Sequence, residues 1–501
     1  MRHATEPTQS GRKNTDAAGR STTTPIEPAV TIRTDHHGTG RQHQSRKREQ
    51  RSRCGIHSLQ IRKILSGDAE EDRLPSVDGS LTGIAPRQLT AVLARRLTEE
   101  PALVLNGPRT VGKSTLLHAL AERFERSVID CDDPATRAAV RADPGRFVSG
   151  PGPILIDEYQ HVPDLLSAIK AELNRDLSPG RYVLAGSTRY TTLPEAGQAL
   201  TGRVDILDVL PLTQAEIDGA GGDPLVHRLL DGVDVSLGTT PSTTTRADYA
   251  RRITSGGMPV ALRRPSGRSR SRWFANYLDL VIERDVLELS RVRQREMLPR
   301  LLRVLGSRSG QVLNITGAAS AVGMEKSSAE NYLKLLEAVF LVLRLPAWGT
   351  TLGSRVARQP KVHLIDSGVM AWLLALTPEK IATNDPAALT EYGHLVETFA
   401  VGEILRQVSW SDAPVAVGHF RTSEGHEVDL VLERDDGMVF AFEIKAGTRV
   451  EQPDLAGIKA LRARLGKRLA TAVVLYTGAL SYRFDDGTLV LPLDSLWSAV
   501  A

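Results

Sequence analysis

Cysteine and long apolar runs are scarce in this chain of 501 residues. Its only 2 cysteines are Cys54 and Cys131, which excludes a disulfide framework and favours a reducing compartment. No uninterrupted apolar stretch reaches the roughly 20 residues that a membrane helix needs. The polar N-terminus also lacks the apolar core of a secretory signal. We therefore expect a cytoplasmic protein with no membrane partner.

The basic charge is concentrated at one end of the chain. The formal net charge is +4, yet the first 60 residues alone carry 11 Lys/Arg against 5 Asp/Glu. Residues 1–80 are rich in Ser, Thr, Arg, Gln and Gly and show no stable periodicity, which predicts a disordered basic tail. Such a tail can hold phosphate backbones nonspecifically, or it can simply be a solvated segment. The length of the whole chain suggests about three domains.

A glycine-rich segment lies between an apolar run and an amphipathic stretch. Residues 107–114, GPRTVGKS, fit the pattern G-x-x-x-x-G-K-[ST] at every specified position. The run from Ala102 to Leu105 predicts a buried strand, and Thr115 to Phe124 has apolar residues at helical spacing. Strand, loop and helix in this order are the context of a phosphate-binding loop, and they disfavour a chance glycine turn.

This loop predicts a defined chemistry. Successive backbone N–H groups would converge on phosphate oxygens, and the helix N-terminus would add partial positive charge. Lys113 would reach the β- and γ-phosphates, and Ser114 would hold Mg²⁺. The predicted binding residues of the loop are Gly107, Pro108, Arg109, Thr110, Val111, Gly112, Lys113 and Ser114.

An apolar strand that ends in two carboxylates follows the loop. Residues 153–158 read PILIDE, and Asp157 lies 44 residues after Lys113. We expect Asp157 to hold Mg²⁺ through a water and Glu158 to polarise the attacking water. Acidic residues end many strands, but the preceding phosphate loop favours the catalytic interpretation.

Two further residues are weaker candidates. Ser187 ends a predicted strand at residues 181–187, where it either senses the γ-phosphate or only caps a turn. Arg203 precedes another predicted strand, where it either neutralises charge on the γ-phosphate or is an ordinary surface arginine. The alternation of strands and helices over residues 81–218 predicts an α/β domain with a mostly parallel sheet covered on both faces.

The middle of the chain predicts a change of architecture. Residues 219–247 are rich in Gly, Asp and Thr, which is typical of a linker, and residues 248–350 are mainly helical in pattern. Three helices are expected at residues 298–305, 315–322 and 327–341, with Gly323 between the last two. This is the helix-turn-helix pattern, which suits a DNA reader or a structural module. In a DNA reader, Lys326, Ser327, Ser328 and Asn331 would lie on or beside the recognition helix.

A second group of carboxylates lies near the C-terminus. Asp429 and Glu443-x-Lys445 fall on two strands of a predicted hairpin with a turn at residues 435–437, and a helix with Glu397 precedes them. Two carboxylates can hold Mg²⁺ while a lysine stabilises charge at a phosphodiester. This arrangement resembles the PD-(D/E)-x-K pattern of restriction-endonuclease-like nucleases, although Val428 stands where that pattern has proline. We expect a nuclease-like α/β domain over residues 351–501, with or without nuclease chemistry.

The order of motifs resembles that of a bacterial and archaeal family of AAA-type P-loop ATP-binding proteins that carry a C-terminal domain of unknown function. The matching stretches are GPRTVGKSTL, ILIDEYQHVPDLL, YVLAGSTRY, ALTGRVDIL, LPLTQAEI, GGMP, NYLDLVIERDV, QVLNITGAASAVGM, KVHLIDSGV, LVETFAVGEILRQ, HEVDLVLE and FEIKAG. The resemblance implies ATP and Mg²⁺ as cofactors, Thr115 as a further binding residue, and a winged-helix-like middle part. Ser187 is followed by Thr188-Arg189-Tyr190, which is bulkier than the pattern of the family.

Together these features predict an ATPase that couples its nucleotide state to a DNA-associated C-terminal domain. The alternative is a nucleotide-controlled interaction protein without nuclease activity. Its partners would be DNA, a second copy of the chain or an unidentified protein. Whether Arg203 would act in its own site or in a neighbour's is open at this level.

Overall fold

The computed structural model describes residues 85–498 apart from 190–199, 221–222, 236, 238–239, 287–288, 290–294, 352–357, 384–385 and 412–413, together with the side chains of 386–387. The tail predicted for residues 1–80 lies outside the described residues.

The first part of the described chain is built on a five-stranded parallel sheet. Its strands are β1 (Ala102–Asn106), β2 (Val128–Asp130), β3 (Ile154–Asp157), β4 (Tyr182–Gly186) and β5 (Asp205–Asp208), in the spatial order β2-β3-β4-β1-β5. The helices are α1 (Leu89–Arg96), α2 (Lys113–Phe124), α3 (Pro134–Ala142), α4 (Pro144–Val148), α5 (Asp164–Arg175) and α6 (Gln214–Asp218), with a 3₁₀ turn at Tyr159–His161. The predicted parallel α/β architecture is confirmed.

The burial of β1 explains this layering. All five residues of β1 are buried, as expected for a central strand with helices on both faces. Leu103 and Leu105 face a core shared with Leu116 and Leu117 of α2, while Val104 faces the core on the other side of the sheet. Because the carboxyl ends of parallel strands meet at one edge, the residues after β1, β3 and β4 converge there.

A helical region follows the parallel sheet. Its helices are α7 (Leu225–Leu230), α8 (Arg246–Ser255), α9 (Pro259–Leu262) and α10 (Gly267–Leu280), and α10 continues into a π-helical turn at Val281–Val286. Helix α7 lies in the segment predicted as a linker, and its residues Leu225, Val226, Leu229 and Leu230 are buried in the core. The Gly- and Asp-rich composition around this short helix concealed it.

Three helices and a small antiparallel sheet come next. The helices are α11 (Met297–Ser307), α12 (Ile315–Val322) and α13 (Lys326–Ala338), and the strands are β6 (Gln311–Val312), β7 (Val342–Leu345) and β8 (Lys361–Leu364), in the order β6-β8-β7. Gly323, at φ 73°, ends α12 as expected. Helix α13 ends before the predicted residue 341, because Phe340 adopts φ 58° and the chain turns into β7. Strand β8 lies beyond the predicted boundary at residue 350.

The C-terminal part is a six-stranded mixed sheet with helices. Its strands are β9 (Val415–Arg421), β10 (Glu427–Arg434), β11 (Val439–Lys445), β12 (Leu469–Tyr476), β13 (Tyr482–Arg483) and β14 (Leu489–Pro492), in the order β13-β14-β12-β11-β10-β9. The helices are α14 (Ser367–Leu373), α15 (Pro378–Ala382), α16 (Pro386–Val408) and α17 (Ala456–Leu465), with 3₁₀ turns at Gln452–Leu455, Gly466–Arg468 and Leu493–Leu496.

The two faces of this sheet are covered differently. Leu430 and Phe442 pack into the large core that contains residues of α16, whereas Val431 and Ala441 pack with Ile458 of α17. The predicted hairpin joins β10 to β11, and Gly437 of its turn adopts φ 80°. Among the described residues, no helix is long and apolar enough to cross a membrane.

Candidate functional site

The phosphate loop runs from the end of β1 to the start of α2. Thr110 and Gly112 adopt the positive φ angles 63° and 106°. A Cβ added at Gly107 would lie 2.2 Å from the carbonyl oxygen of Val209, just beyond β5. Glycine is therefore required at position 107, because only a residue without a side chain lets the loop pass this backbone.

Lys113 is buried inside the loop at 4% exposure. Its Nζ donates hydrogen bonds of 2.8 Å to the carbonyl oxygens of Gly107 and Pro108. Burial lowers the pKa of Lys113 to about 8, although Glu158 and Asp157 act in the opposite direction. The loop thus holds an ammonium that weak carbonyl partners can release to a phosphate.

Asp157 ends β3 beside the start of α2. It is 6% exposed, and burial raises its pKa while a hydrogen bond from Ser114 opposes the rise. A hydroxyl and a carboxylate in contact next to a phosphate loop are hard oxygen ligands of the kind that Mg²⁺ prefers. The residues present therefore fit Mg²⁺.

Glu158 is held by its neighbours in an unusual backbone conformation. Its φ and ψ are 49° and 43°, in the left-handed region that non-glycine residues rarely adopt. Ser187 Oγ, at the end of β4, donates a hydrogen bond of 3.0 Å to Glu158 Oε2. Gln160 Nε2 donates to the same oxygen and lies 3.2 Å from Ser187 Oγ. The structure thus brings Asp157, Glu158 and Ser187 together, as the sequence predicted.

Gln160 was not singled out from the sequence. Its Oε1 is buried without a hydrogen-bond partner among the described residues. Its packing against Gly186 is close, since a Cβ at Gly186 would lie 2.8 Å from that oxygen. A polar residue two positions after the acidic pair was the only available signal, and such residues are common in loops.

A cavity of about 190 Å³ adjoins the phosphate loop. It is lined mainly by apolar atoms of four segments that are distant in sequence, namely Ala85, Pro86, Arg87 and Thr90; Val111, Gly112, Thr115, Leu116 and Ala119; Leu212; and Pro259 and Arg263. An apolar cavity beside a phosphate site suits a flat group such as a nucleobase. The predicted residues Val111, Gly112 and Thr115 contribute to its wall.

Arg203 is not seen to contact the phosphate site. Its backbone N–H donates to the carbonyl oxygen of Leu200, and its Nη1 is buried with no hydrogen-bond partner within the described part of the chain. Its proposed role toward the γ-phosphate remains a prediction.

Two arginines connect the nucleotide-site residues to the following regions. Arg109, inside the loop, donates from Nε to both oxygens of Asp285 at 2.8 and 2.6 Å. Arg189, two residues after Ser187, donates from its backbone N–H to Ala338 and from its Nε to Glu337, each at 2.9 Å. Its guanidinium also lies 4.3 Å from the ring centroid of Phe340. The phosphate loop, through Arg109, and the segment after β4, through Arg189, therefore both contact the helical part of the chain.

The C-terminal carboxylates converge on a lysine that the sequence did not single out as functional. Lys361 Nζ lies 2.7 Å from Glu397, 2.9 Å from Asp429 and 2.5 Å from Glu427. The predicted pair on β11 lies in the same cluster, with Lys445 Nζ 2.9 Å from Glu443.

An irregularity in the strand pairing orients the side chain of Asp429 toward both Lys361 and the backbone of β11. Strand β10 shifts register against β9 between Val428 and Val431, and such irregularities re-aim side chains. One oxygen of Asp429 faces Lys361, and the other accepts a hydrogen bond of 2.9 Å from the Ile444 N–H. The predicted Glu397, Asp429, Glu443 and Lys445 are thus brought together. Lys361 was missed because the position of β8 beside the carboxylates is not visible in the local sequence of that strand. Glu427, at the start of β10, was missed because its partner in the cluster is Lys361.

Comparison with known proteins agrees with this architecture. Residues 99–218 match the family model of an AAA domain, and residues 246–380 and 392–496 match two domains of unknown function, DUF8612 and DUF4143. An uncharacterized protein of Mycobacterium tuberculosis and one of Mycobacterium bovis are each 27% identical to this chain over 417 residues, which cover 82% of this chain and 85% of theirs.

Two solved structures are also similar to parts of the chain. The Walker-type ATPase of Pyrococcus abyssi is 15% identical, with a TM-score of 0.33 over 60% of this chain and 99% of that one. The RuvB Holliday junction branch migration motor of Thermotoga maritima is 19% identical, with a TM-score of 0.27 over 54% of this chain and 92% of that one.

Proposed function

Since the chain carries an AAA-type P-loop ATPase domain followed by domains of unknown function, we propose that it binds and hydrolyses Mg-ATP and that the nucleotide state changes how its C-terminal half is held. The observation that carries this proposal is the convergence of Lys113, Asp157 and Glu158 at the edge of the parallel sheet. A nucleotide-binding loop needs only the first of these residues, whereas hydrolysis needs all three.

Each group has a role in binding. The N–H groups of the loop and the start of α2 bind the phosphates, and Lys113 exchanges its bonds to Gly107 and Pro108 for phosphate oxygens. Ser114 and Asp157 hold Mg²⁺, which supplies charge neutralisation to the transferring phosphoryl group. The cavity beside α2 accepts the base.

Glu158 is the residue that positions and polarises the attacking water. Ser187 and Gln160 fix its carboxylate from two directions, so it enters the reaction in a defined orientation. Arg203 and Ser187 are further candidates to respond to the γ-phosphate, Arg203 from its own or a neighbouring subunit.

The coupling between nucleotide and C-terminal half would pass through Arg189. A displacement of Ser187 by a γ-phosphate moves the end of β4, and Arg189 carries that displacement to the carbonyl groups at the end of α13. Strand β7 follows α13 and pairs with β8, which reaches the C-terminal carboxylates. A packed element that both sites contact is the physical requirement for such coupling.

DNA is the proposed partner of the C-terminal half. The three helices α11 to α13 and the sheet β6-β8-β7 support a winged-helix arrangement, and Lys326, Ser327 and Asn331 of α13 are exposed. Lys326 pairs with Glu330 at 3.7 Å, so the surface is not strongly basic. A nucleotide-controlled interaction protein that holds DNA or a protein partner fits this surface.

A second candidate function is DNA cleavage. The assembly of Glu397, Asp429, Glu443 and Lys445 in one cluster favours it, because this set resembles the residues of restriction-endonuclease-like sites. These side chains, at one edge of the sheet, could act on a phosphodiester only if the cluster also bound a divalent cation.

The test combines ATP and DNA assays on the full chain. We expect wild type to bind and hydrolyse ATP with Mg²⁺, Lys113→Ala to lose binding, and Glu158→Gln to bind ATP but hydrolyse it at least about 100-fold more slowly. A Glu158→Gln variant with wild-type turnover would contradict the assignment. Supercoiled, linear and single-stranded DNA are incubated in parallel with Mg²⁺ or Mn²⁺, with and without ATP. Cleavage that is lost in Asp429→Ala would establish the second candidate.

A further inference from the structure

The side chain of Lys361 is enclosed by the C-terminal carboxylates. The residue is 1% exposed, and its Nζ contacts Glu397, Glu427 and Asp429 within 2.9 Å. An ammonium has three N–H groups and no acceptor, so three carboxylates satisfy it completely. The Nζ of Lys361 is thus surrounded as a small metal cation would be, with one oxygen ligand from each of three acidic residues.

The backbone holds Lys361 firmly in this position. Strand β8 is the central strand of the sheet β6-β8-β7, and Lys361 pairs with Val312 on one side and with Leu345 on the other. The neighbouring Gly310 packs against Glu397, since a Cβ there would lie 2.9 Å from Glu397 Oε2. The lysine therefore enters the cluster from a different sheet than the one that carries Asp429.

The charges in the cluster require such a cation. Side-chain exposure is 12% for Glu397 and 11% for Asp429, so water contributes little to stabilising an ionised carboxylate there. Burial together with the nearby Asp429 raises the pKa of Glu397 well above its ordinary value, and Lys361 opposes this rise. Burial alone would lower the pKa of Lys361, but Asp429, Glu397 and Glu427 raise it well above its ordinary value. The ammonium is therefore charged over the whole physiological range of pH, and removing it would leave buried carboxylates unpaired.

The other carboxylate oxygens near Lys361 are only partly paired. Asp429 Oδ2 accepts the Ile444 N–H, and Glu443 Oε1 is paired with Lys445, which also lies 3.5 Å from Asp454. Glu443 Oε2 is buried without a hydrogen-bond partner among the described residues. Among the described residues, no group of three or more His, Cys, Asp or Glu side chains is arranged to hold a metal ion. The cluster has the residue types of a divalent-cation site, yet the residues as placed do not fit one.

We infer that Lys361 is the resident cation of the C-terminal carboxylate cluster and takes the place that a divalent ion would need there. With Lys361 seated, the cluster binds neither Mg²⁺ nor Mn²⁺, and it serves to join the sheet β6-β8-β7 to the C-terminal sheet. This inference does not depend on ATP hydrolysis at the phosphate loop. It argues against metal-assisted DNA cleavage by the protein while Lys361 occupies the cluster.

The test measures Mn²⁺ binding to the nucleotide-free full chain by electron paramagnetic resonance. All variants carry Asp157→Asn, which removes the metal ligand proposed at the phosphate loop. Lys361→Met keeps the length of the side chain and removes its charge. We expect this variant to gain one bound Mn²⁺ per chain, with an affinity at least about tenfold above that of the parent, and to melt at a higher temperature when Mn²⁺ is added. The parent should show neither effect.

Two controls make the result specific. Lys459→Met removes an exposed lysine of α17 whose Nζ donates to Gln452 Oε1, and it should gain no Mn²⁺. Adding Asp429→Asn to Lys361→Met should abolish the gained site. The inference is overturned if the parent binds Mn²⁺ in a way that Asp429→Asn removes, or if folded Lys361→Met gains no site. If Lys361→Met does not fold, Mn²⁺ binding is compared between the parent and its Asp429→Asn variant. Binding that Asp429→Asn removes contradicts the inference, and the absence of such binding supports it.

Discussion

Arg109 of the phosphate loop and Asp285 of the π-helical turn form a two-bond ion pair between the parallel-sheet domain and the helical region. The Nε of Arg109 lies 2.8 and 2.6 Å from the two oxygens of Asp285, and the Asp285 side chain is only 2% exposed. A loop residue that the phosphate pattern leaves unspecified is thus committed to a contact outside its own domain.

Breaking this pair is expected to destabilise the chain. Arg109→Ala removes charge-assisted hydrogen bonds to a buried carboxylate, so we expect the free energy of unfolding to fall by about 2 kcal/mol, measured by denaturant titration. Arg284→Ala is the matched control, because Arg284 makes an exposed pair with Asp132 and should cost less than about 1 kcal/mol. If the Arg109→Ala and Asp285→Ala effects are simply additive in the double variant, the pair does not couple the two regions.

Because the cavity lies beside the phosphate loop, we expect a substitution in the cavity to weaken base recognition without affecting phosphate recognition. Ala119 is exposed on the cavity wall, so Ala119→Trp should fill the space without disturbing the core. We expect ATP to bind at least about tenfold more weakly, since the base would be displaced from its apolar contacts. Binding of inorganic tripolyphosphate, measured by calorimetry, should change little. An equal loss for both ligands would show that the substitution perturbs the loop itself.

The contacts of Arg189 predict that a γ-phosphate bound near Ser187 changes the structure around α13. In wild type we expect a non-hydrolysable ATP analogue to change amide hydrogen exchange over residues 326–345, because Arg189 joins the strand end at Ser187 to the end of α13. Arg189→Ala should keep nucleotide binding and lose this change. Arg344→Ala is the control, because Arg344 contacts Glu337 by an exposed ion pair. Exchange in Arg189→Ala that still responds to nucleotide would exclude this route.

Glu403 predicts a pH dependence of stability. It is fully buried, pairs with Arg406 at 2.8 Å and accepts the Gln214 N–H at 3.0 Å, and burial raises its pKa to about 7 from 4.5. Between these two values the folded state keeps a proton that the unfolded state has lost, so this contribution to stability is present below pH 4.5 and is lost as the pH rises through about 7.

The Glu403→Gln variant isolates this contribution, because the amide does not titrate. From pH 4.5 to pH 8 the free energy of unfolding of wild type should fall relative to that of the variant by up to about 3 kcal/mol. Denaturant titrations of both proteins at several pH values measure it. A constant difference across this range would mean that Glu403 titrates normally in the folded chain.

The parts of the site that the sequence predicted are those that depend on local geometry. Lys113 and Ser114 follow a loop whose length and glycines are fixed by the pattern, and Asp157 ends a strand in the same parallel sheet. Neighbouring parallel strands place their ends together, so Asp157, Glu158 and Ser187 could be joined without knowledge of long-range packing. The three helices before β7 were likewise visible from their periodicity, apart from the early end of α13.

Other features depended on segments that are distant in the chain. The cavity beside α2 draws on residues near 85, 115, 212 and 260, and no periodicity connects them. Arg109 and Asp285 are 176 positions apart, and each is an ordinary charged residue in its own segment. Helix α7 was concealed because a short amphipathic turn in a polar segment carries too few residues for a period to emerge.

The sequence by itself determined the phosphate loop, the acidic strand end and the α/β alternation, because hydrogen bonding and side-chain periodicity act over a few residues. Only the tertiary structure decided which cation occupies the C-terminal carboxylates. Asp429, Glu443 and Lys445 lie on a hairpin that the sequence predicted, but Lys361 arrives from another sheet, 68 positions before Asp429. A lysine at the start of a short strand carries no local sign of its partners, so its pairing is set by how the two sheets pack.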